Sequence, residues 1–189
     1  MILATRNPHK LREFSRVLGE ERLDALPDFV ELGPEVGETF ADNALAKART
    51  AARATGRVAI ADDSGIAAEA LGGGPGVRSA RFAGEAASDE QNLELLISLV
   101  PAGSRLRYVC ALAHVDPQSG VERVFEGRCD GRMAPARRGS DGFGYDPVFV
   151  PDAGDGRTMA ELDPVEKDAI SHRGAAIAAL AAWLASERS

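Results

Sequence analysis

The sequence predicts an α/β protein with a mixed β-sheet flanked by helices, and three segments carry that prediction. The unbroken apolar run that starts at Val58 is typical of a strand buried on both faces. Residues 105–115 and 121–128 are two β-rich runs on either side of Asp116-Pro-Gln-Ser-Gly120, which predicts a hairpin. The Ala-rich segment 39–55 has apolar residues at helical spacing, with Thr39 as a plausible N-cap, Asp42 three residues later and Gly56 to stop the helix. A buried strand, a long hairpin and helices together indicate a mixed sheet.

The other elements follow from capping residues and apolar periodicity. They are a strand at 1–5, a helix at 9–18, a helix at 88–99, a strand at 145–150, a helix from Pro164 and a helix at 173–184. The run Leu71-Gly-Gly-Gly-Pro-Gly76 is predicted as an irregular loop, because glycine and proline support neither helix nor strand. No segment has the composition of a linker, so we expect a single domain over residues 1–189.

Composition excludes several classes of protein. The chain has 189 residues and a formal net charge of -7, which argues against nucleic-acid binding through a basic face. No apolar stretch reaches the roughly 18 residues of a membrane span. The apolar start, Met1-Ile-Leu-Ala4, is too short for the core of a signal peptide. Cys110 and Cys129 lack metal-type spacing and are expected to be free thiols, which favours a cytoplasmic location.

Two adjacent carboxylates follow the apolar run in Val58-Ala-Ile-Ala-Asp62-Asp63-Ser64-Gly65. Their mutual repulsion must be relieved by a proton or a cation, and hard oxygen ligands favour Mg²⁺. We therefore expect the strand to end there and to present acid at the edge of the core. The alternative is a polar turn that caps a helix. Glu35 lies outside the helix that follows it, which leaves it available as a metal ligand.

The segment Thr5-Arg6-Asn7-Pro8-His9-Lys10 has the features of an anion site. Asn7 is a favoured N-cap and Pro8 suits the first helical position, so exposed N–H groups are expected at this helix start. Lys10 falls in the first turn, where the helix dipole disfavours a cation. Together with Arg6, it suggests that an anion binds there. The alternative is a solvated lysine on an ordinary capped helix.

A third group of polar residues lies in the C-terminal part of the chain. In Asp141-Gly-Phe143-Gly144-Tyr145-Asp146-Pro147 the glycines would let the Phe143 ring lie against a planar ligand. Asp146 and Arg173 could then contact the hydrogen-bonding edges of that ligand. A single histidine such as His172 is more often structural, but its position beside Arg173 favours a functional role.

These segments together resemble the inosine triphosphate pyrophosphatase family, whose members hydrolyse non-canonical purine nucleoside triphosphates. The resemblance runs nearly from end to end and depends on the joint, ordered occurrence of weak motifs. The motifs are Thr5-x-Asn7-x-x-Lys10, Glu35-x-Gly37, Thr39-Phe40 with Asn43-Ala44, Ala61-Asp-Asp-Ser-Gly65, Leu71-Gly-Gly-x-Pro-Gly76, Ser79-Ala-Arg81, Gly142-Phe-Gly-Tyr-Asp-Pro147 and Ser171-His-Arg-Gly174.

The resemblance implies a homodimer of two-lobed α/β subunits with a long mixed sheet and an active-site cleft between the lobes. It also implies hydrolysis of ITP, dITP and XTP to the monophosphate and pyrophosphate with Mg²⁺. Glu35, Asp62 and Asp63 would surround the metal, with Asp63 as the general base. The implied substrate-binding residues are Thr5, Arg6, Asn7, Pro8, His9, Lys10 and Lys47 at the triphosphate, Ser64, and Phe143, Gly144, Tyr145, Asp146, Lys167, His172 and Arg173 at the base and sugar.

Two positions depart from the family pattern, and two other functions remain open. Many relatives have glycine in place of Arg6 and a small residue in place of His9, which bears on substrate details rather than on the reaction. The first alternative function is a pyrophosphatase for modified pyrimidine nucleotides. The second is a nucleotide-binding sensor without turnover, which the intact carboxylates at 35, 62 and 63 disfavour because a sensor needs no general base.

Overall fold

The computed structural model describes residues 1–19 and 22–187. Its strands and helices, in chain order, are β1 (Ile2–Leu3), α1 (Pro8–Leu18), β2 (Asp24–Ala25), α2 (Phe40–Thr55), β3 (Ala59–Ala68), α3 (Asp89–Leu99), β4 (Arg105–Val115), β5 (Glu122–Met133), β6 (Phe149–Pro151), α4 (Pro164–Ile170) and α5 (His172–Ser186). Among these described residues, no helix is both long enough and apolar enough to span a membrane.

The six strands form one sheet in the order β2-β1-β3-β4-β5-β6. Strand β1 is parallel to β2 and to β3, whereas β5 and β6 are antiparallel. The predicted mixed α/β sheet is therefore confirmed. The signals at the ends of α2 also act as predicted: Thr39 forms a capping box with Asp42, and Gly56 ends the helix with φ 65°.

Strand β3 differs from the prediction in its length. The strand was expected to end at Asp62 and Asp63, but it continues to Ala68 with both carboxylates buried inside it. Lysine side chains from α1 and α2 pair with the two carboxylates. Because their charges are compensated, the buried strand can continue through them.

The segment 145–150 also differs from the prediction. Instead of one strand, a 3₁₀ turn at Asp146–Val148 precedes the short strand β6. Pro147 has no N–H to donate to a strand ladder. The buried Asp146 carboxylate accepts the backbone N–H of Phe143 at 2.9 Å, which draws the chain into a turn.

The chain divides into two compact units, as the predicted two-lobed subunit requires. Unit 1 comprises Met1–Asp63, Cys110–Gly127 and Gly174–Ser189, and unit 2 comprises Ser64–Val109 and Arg128–Arg173. The assignment of residues 1–189 to one functional domain remains a prediction.

In unit 1, the strands bury side chains in two separate clusters. Ala59 and Ala61 of β3 pack in one cluster with alanines of α2. Ile60 packs in the other cluster with Phe14 of α1 and Ile177 of α5. Successive side chains of a strand point to opposite faces, so this part of the sheet carries α2 on one face and α1 with α5 on the other.

The core of unit 2 is a single cluster of buried residues contributed by β3, α3, β4, β5 and the segment 145–162. Tyr108 of β4 and Phe149 of β6 belong to it, with ring centroids 4.4 Å apart. Tyr108 is only 6% exposed. Through Tyr108, this core contacts Asp146 and His172, two of the residues predicted at the base and sugar.

Candidate active site

The alternation of β3 sends its two aspartates to different helices of unit 1. Asp63 continues the face of Ala59 and Ala61 and meets side chains of α2, whereas Asp62 continues the face of Ile60 and meets Lys10 of α1. Two adjacent carboxylates thus avoid each other because the strand period is two. They have separate partners and can have separate roles.

Asp63 and Glu35 converge on one lysine. The Lys47 ammonium lies 2.6 Å from Glu35 Oε1 and 3.3 Å from Asp63 Oδ1. Asn43 donates from Nδ2 to Asp63 Oδ2 at 3.0 Å, and its own Oδ1 accepts the Gly37 N–H at 2.8 Å. A Cβ at Gly37 would lie 2.6 Å from that Oδ1 atom. Glycine at 37 therefore allows the backbone to approach closely enough for Asn43 to connect the Glu35 segment to Asp63.

Burial and neighbouring charge shift the pKa values of this cluster. Burial raises the pKa of the Asp63 carboxyl, the Lys47 ammonium opposes that rise, and the Glu35 carboxylate adds to it, with a net shift upward. Burial alone would lower the pKa of Lys47, but the carboxylates of Asp63, Asp62 and Glu35 outweigh it and raise that pKa. Asp63 is thus a stronger base than an exposed aspartate, and Lys47 keeps its charge.

Lys10 has a partner within the protein that accounts for its position in the first turn of α1. Its Nζ lies 3.0 Å from Asp62 Oδ2, and the Asp62 side chain is fully buried. Cys110 contacts the same carboxylate oxygen at 3.9 Å. A cation at a helix N-terminus was expected to indicate a bound anion, and in the structure the protein itself supplies one. The predicted role of Lys10 at a triphosphate remains a prediction.

The start of α1 is capped more fully than expected. Asn7 Oδ1 accepts the N–H groups of His9 and Lys10 at 2.8 and 3.4 Å, and Thr5 Oγ1 accepts the N–H of Asn7 at 3.1 Å. The N–H groups predicted to be exposed are therefore engaged by side chains of the same segment. What the helix start offers an anion is its dipole and the Lys10 ammonium.

Arg6 anchors a loop. Its guanidinium donates to the backbone carbonyls of Leu26, Pro27 and Val30 at 2.9, 2.8 and 3.1 Å. It also donates to the carboxylate of Asp28 at 3.3 Å and to the Asp28 carbonyl at 3.4 Å. A planar fork with five donors can serve all five acceptors at once, whereas a lysine ammonium has only three donors. The structure thus gives Arg6 a structural role, and its contact with substrate remains a prediction.

We expect Arg6→Ala to lower the free energy of unfolding by about 1–2 kcal/mol, because several carbonyl acceptors lose their donor. Amide hydrogen exchange should accelerate in residues 26–30, and Arg6→Lys should show the same acceleration. Arg53→Ala, which removes an exposed arginine from α2, is the control and should change stability by less than about 0.5 kcal/mol. Unchanged exchange in the Arg6 variants would show that the loop is held by its own buried side chains.

Glu35 and Asp63 fit a divalent metal that takes its remaining ligands from substrate and water. Mg²⁺ usually binds proteins through one or two carboxylates together with phosphate oxygens. Both carboxylates reach the same Lys47 ammonium, so they already share one cation. Among residues 1–19 and 22–187, no three acidic, histidine or cysteine side chains form a metal-type cluster. Asp62, the third predicted ligand, is directed to Lys10.

In unit 2, the Asp146 carboxylate is surrounded by three donors. Oδ1 accepts the hydroxyl of Tyr108 at 3.1 Å, and Oδ2 accepts the Lys167 ammonium at 2.7 Å and the Phe143 N–H at 2.9 Å. Asp146 is 3% exposed. Gly142 has φ 75°, and a Cβ there would overlap Oδ2 of Asp146. Glycine before Phe143 is thus needed to bring this carboxylate against the backbone.

Two cations and three aromatic residues are connected to this carboxylate directly or through one neighbour. The Lys167 ammonium and the Arg173 guanidinium lie 5.0 and 5.6 Å from the centroid of the Phe143 ring. Arg173 also donates to Ser64 Oγ at 2.7 Å. The His172 ring stacks on Tyr108 with centroids 4.5 Å apart and an interplanar angle of 9°. Unit 2 therefore brings together five of the residues predicted to contact the base or the sugar.

The side chain of Tyr145 points elsewhere. Its hydroxyl donates to the Ser79 carbonyl at 2.7 Å, and the Ser79 hydroxyl in turn accepts the Ile66 N–H at 2.9 Å. Burial raises the pKa of Tyr145. These bonds connect the 145 segment to β3 within unit 2, so the structure gives the Tyr145 side chain a structural role. Its predicted contact with substrate remains a prediction.

Sequence reasoning did not assign a role to two residues of these clusters. Asn43 was quoted only as part of a motif, although a polar residue within the buried alanine face of α2 is itself a signal for a specific partner. Tyr108 carried no signal, because an aromatic residue in a β-rich run is ordinary core. Its importance follows only from its contacts with Asp146 and His172.

Comparison with known proteins identifies the family. A family model described as the Ham1 family matches residues 1–183. The dITP/XTP pyrophosphatase of Mycobacteroides abscessus is 48% identical over 95% of this chain and 92% of its own. That of Symbiobacterium thermophilum is 49% identical over 94% of this chain and 91% of its own. The HAM1 protein structure from Coxiella burnetii is 38% identical, covers 98% of both chains and has a TM-score of 0.85. The chain therefore belongs to the Ham1 family.

Proposed function

We propose that this protein hydrolyses the non-canonical purine nucleoside triphosphates ITP, dITP and XTP to the monophosphate and pyrophosphate, with Mg²⁺ as cofactor. The enzyme class predicted from the sequence, a nucleoside triphosphate pyrophosphatase, is confirmed by relatives named dITP/XTP pyrophosphatase at 48–49% identity. The observation that carries the proposal is the Asp63 carboxylate, which is buried, hydrogen-bonded to Asn43 and paired with Lys47. The homodimer, the cytoplasmic location and the cleft between lobes remain predictions.

Asp63 is the base in this proposal. Its raised pKa brings it closer to the value that suits proton abstraction near neutral pH. Asn43 fixes one carboxylate oxygen and Lys47 lies against the other, so the carboxylate has one orientation. The attacking water would form a bond to the α-phosphorus and lose a proton to Asp63, and the bond between the α-phosphorus and the bridging oxygen would break to release pyrophosphate.

Positive charge stabilises the triphosphate. Glu35 and Asp63 would hold the Mg²⁺ ion, which supplies charge to neutralise the phosphate oxygens. Lys47 keeps its proton because the carboxylates around it raise its pKa. Lys10 adds a second ammonium at the start of α1. Phosphoryl-type transfer depends mainly on positioning and charge stabilisation, which these groups provide.

The Asp146 and Lys167 pair suits a 6-keto purine. An acceptor and a donor lie 2.7 Å apart, which complements the N1–H donor and the O6 acceptor of hypoxanthine and xanthine. Adenine presents the reverse order at these two positions. A mismatch would leave a buried group without a partner, at a cost of about 1–3 kcal/mol for each group. The pair therefore supports selection against ATP.

A turnover panel tests the proposal. We expect pyrophosphate release from ITP, dITP and XTP, with kcat/KM at least about tenfold above that for ATP. The release should stop when EDTA removes Mg²⁺ and return when the ion is restored. Methylated UTP and TTP in the same panel separate this function from pyrimidine hydrolysis. Nucleotide binding without pyrophosphate release would instead identify a sensor, and orthophosphate as the product would place the cleavage at another bond.

A further inference from the structure

Tyr108 contacts Asp146 and His172, two of the residues predicted at the base and sugar. Its hydroxyl donates to Asp146 Oδ1 at 3.1 Å, and one face of its ring stacks on His172. Phe149 packs against the ring with a centroid distance of 4.4 Å. Tyr108 is 6% exposed, within the core of unit 2. It is thus held by the core and, in turn, holds two polar residues that face the proposed ligand.

The donors around Asp146 leave it little freedom. A carboxylate offers about four acceptor positions, and three are taken by Tyr108, Lys167 and the Phe143 N–H. Lys167 and Phe143 both donate to Oδ2, whereas Tyr108 donates to Oδ1. The Tyr108 hydroxyl therefore adds a restraint at Oδ1 to the two at Oδ2, and together they oppose rotation of the carboxylate about its Cβ–Cγ bond. It also leaves about one acceptor position for a ligand donor.

We propose that Tyr108 is the positioning residue that sets the preference for 6-keto purines, by fixing Asp146 through its hydroxyl and His172 through its ring. The inference deepens the proposed function and rests on it. Adenine would place its N1 lone pair against the carboxylate, and two acceptors repel. A carboxylate free to turn aside would relieve that repulsion, whereas a fixed Oδ1 maintains it. Tyr108 acts through Asp146 and His172 and does not itself contact the base.

The two parts of the tyrosine can be tested separately. Tyr108→Phe removes the hydroxyl from Asp146 and keeps the ring on His172. Tyr108→Leu removes both. Because burial and the Asp146 carboxylate raise the pKa of Tyr108, the hydroxyl stays protonated and donates throughout the usual assay range. A loss seen in Tyr108→Phe can therefore be assigned to the donor itself.

We expect Tyr108→Phe to reduce the ratio of kcat/KM for ITP to kcat/KM for ATP by about tenfold, the value of one hydrogen bond to a charged group. The change should come from a higher KM for ITP and a lower KM for ATP, with kcat for ITP nearly unchanged. Tyr108→Leu should reduce this ratio further. Binding of IMP and AMP, measured by calorimetry, should show the same loss without turnover.

Leu106→Val is the matched control. Leu106 lies on the same strand, belongs to the same core cluster and is 2% exposed, but its side chain is a hydrocarbon and forms no hydrogen bond. It should lower the melting temperature and leave the ITP to ATP ratio unchanged. A Tyr108→Phe enzyme with reduced stability and an unchanged ratio would overturn the inference. A wild-type enzyme without any preference for ITP would overturn the proposed function itself and, with it, this inference.

Discussion

Asp63→Asn should lower kcat for ITP by about 10²–10⁴-fold, the usual contribution of a general base. The amide cannot take a proton from water, although it has nearly the same shape as the carboxylate. Lys47 keeps Glu35 as a partner at 2.6 Å, so the fold should survive. Rapid-quench kinetics would measure the chemical step, and calorimetry with ITP would show that the nucleotide still binds.

The neighbouring aspartate, Asp62, provides a matched comparison for the Asp63 variant. Asp62 is the adjacent residue and is also buried, but it faces Lys10 and Cys110. Asp62→Asn should retain far more turnover than Asp63→Asn. Asp116→Asn, in the turn that joins β4 to β5, should turn over ITP as the wild type does. If the Asp63 variant were active and the Asp62 variant inactive, the roles assigned to the two faces of β3 would have to be exchanged.

Lys10→Met should lower the free energy of unfolding by about 3 kcal/mol, because it leaves the Asp62 carboxylate buried without its cation. The side chains of Lys10 and Asp62 are only 15% and 0% exposed. Methionine nearly matches the lysine stem in volume, so the loss reports charge rather than packing. Urea denaturation at neutral pH gives the value. The double variant Lys10→Met/Asp62→Asn should recover most of the loss, since neither member of the pair then carries an uncompensated charge.

An exposed ion pair in the same unit is the control. Arg49 binds Glu122 at 2.6 Å, which is shorter than the Lys10–Asp62 pair, but the two side chains are 42% and 36% exposed. Arg49→Met should cost less than about 1 kcal/mol, because solvent screens the pair. Burial rather than distance is therefore expected to determine the difference. Equal losses in the two variants would show that Asp62 is accessible to water.

The regular elements could largely be predicted from local sequence. Capping residues and apolar periodicity identified α2 with its Thr39 cap and Gly56 end, and the hairpin formed by β4 and β5. These are properties of neighbouring residues. The end of β3 could not be predicted, because the strand continues past Asp63 only if lysines distant in sequence compensate its charges.

The residues of the candidate site were predicted from the sequence, but the contacts that they make within the protein were not. Lys10 and Arg6 were interpreted as cations that bind an external anion. In the structure, Lys10 pairs with Asp62, and Arg6 donates to the backbone carbonyls around Pro27. A cation near an anion site and a cation that neutralises the protein's own acid have the same sequence pattern. Only the position of the partner distinguishes them.

The sequence by itself determined the α/β class, the helix ends and the family, because these depend on local chemistry and on ordered motifs. Only the tertiary structure decided which side chain each aspartate of β3 faces, where Arg6 is engaged, and that Tyr108 donates to Asp146. Those outcomes depend on contacts between residues 20 or more positions apart. Such contacts are set by the packing of strands and helices, and that packing is not encoded in any short segment.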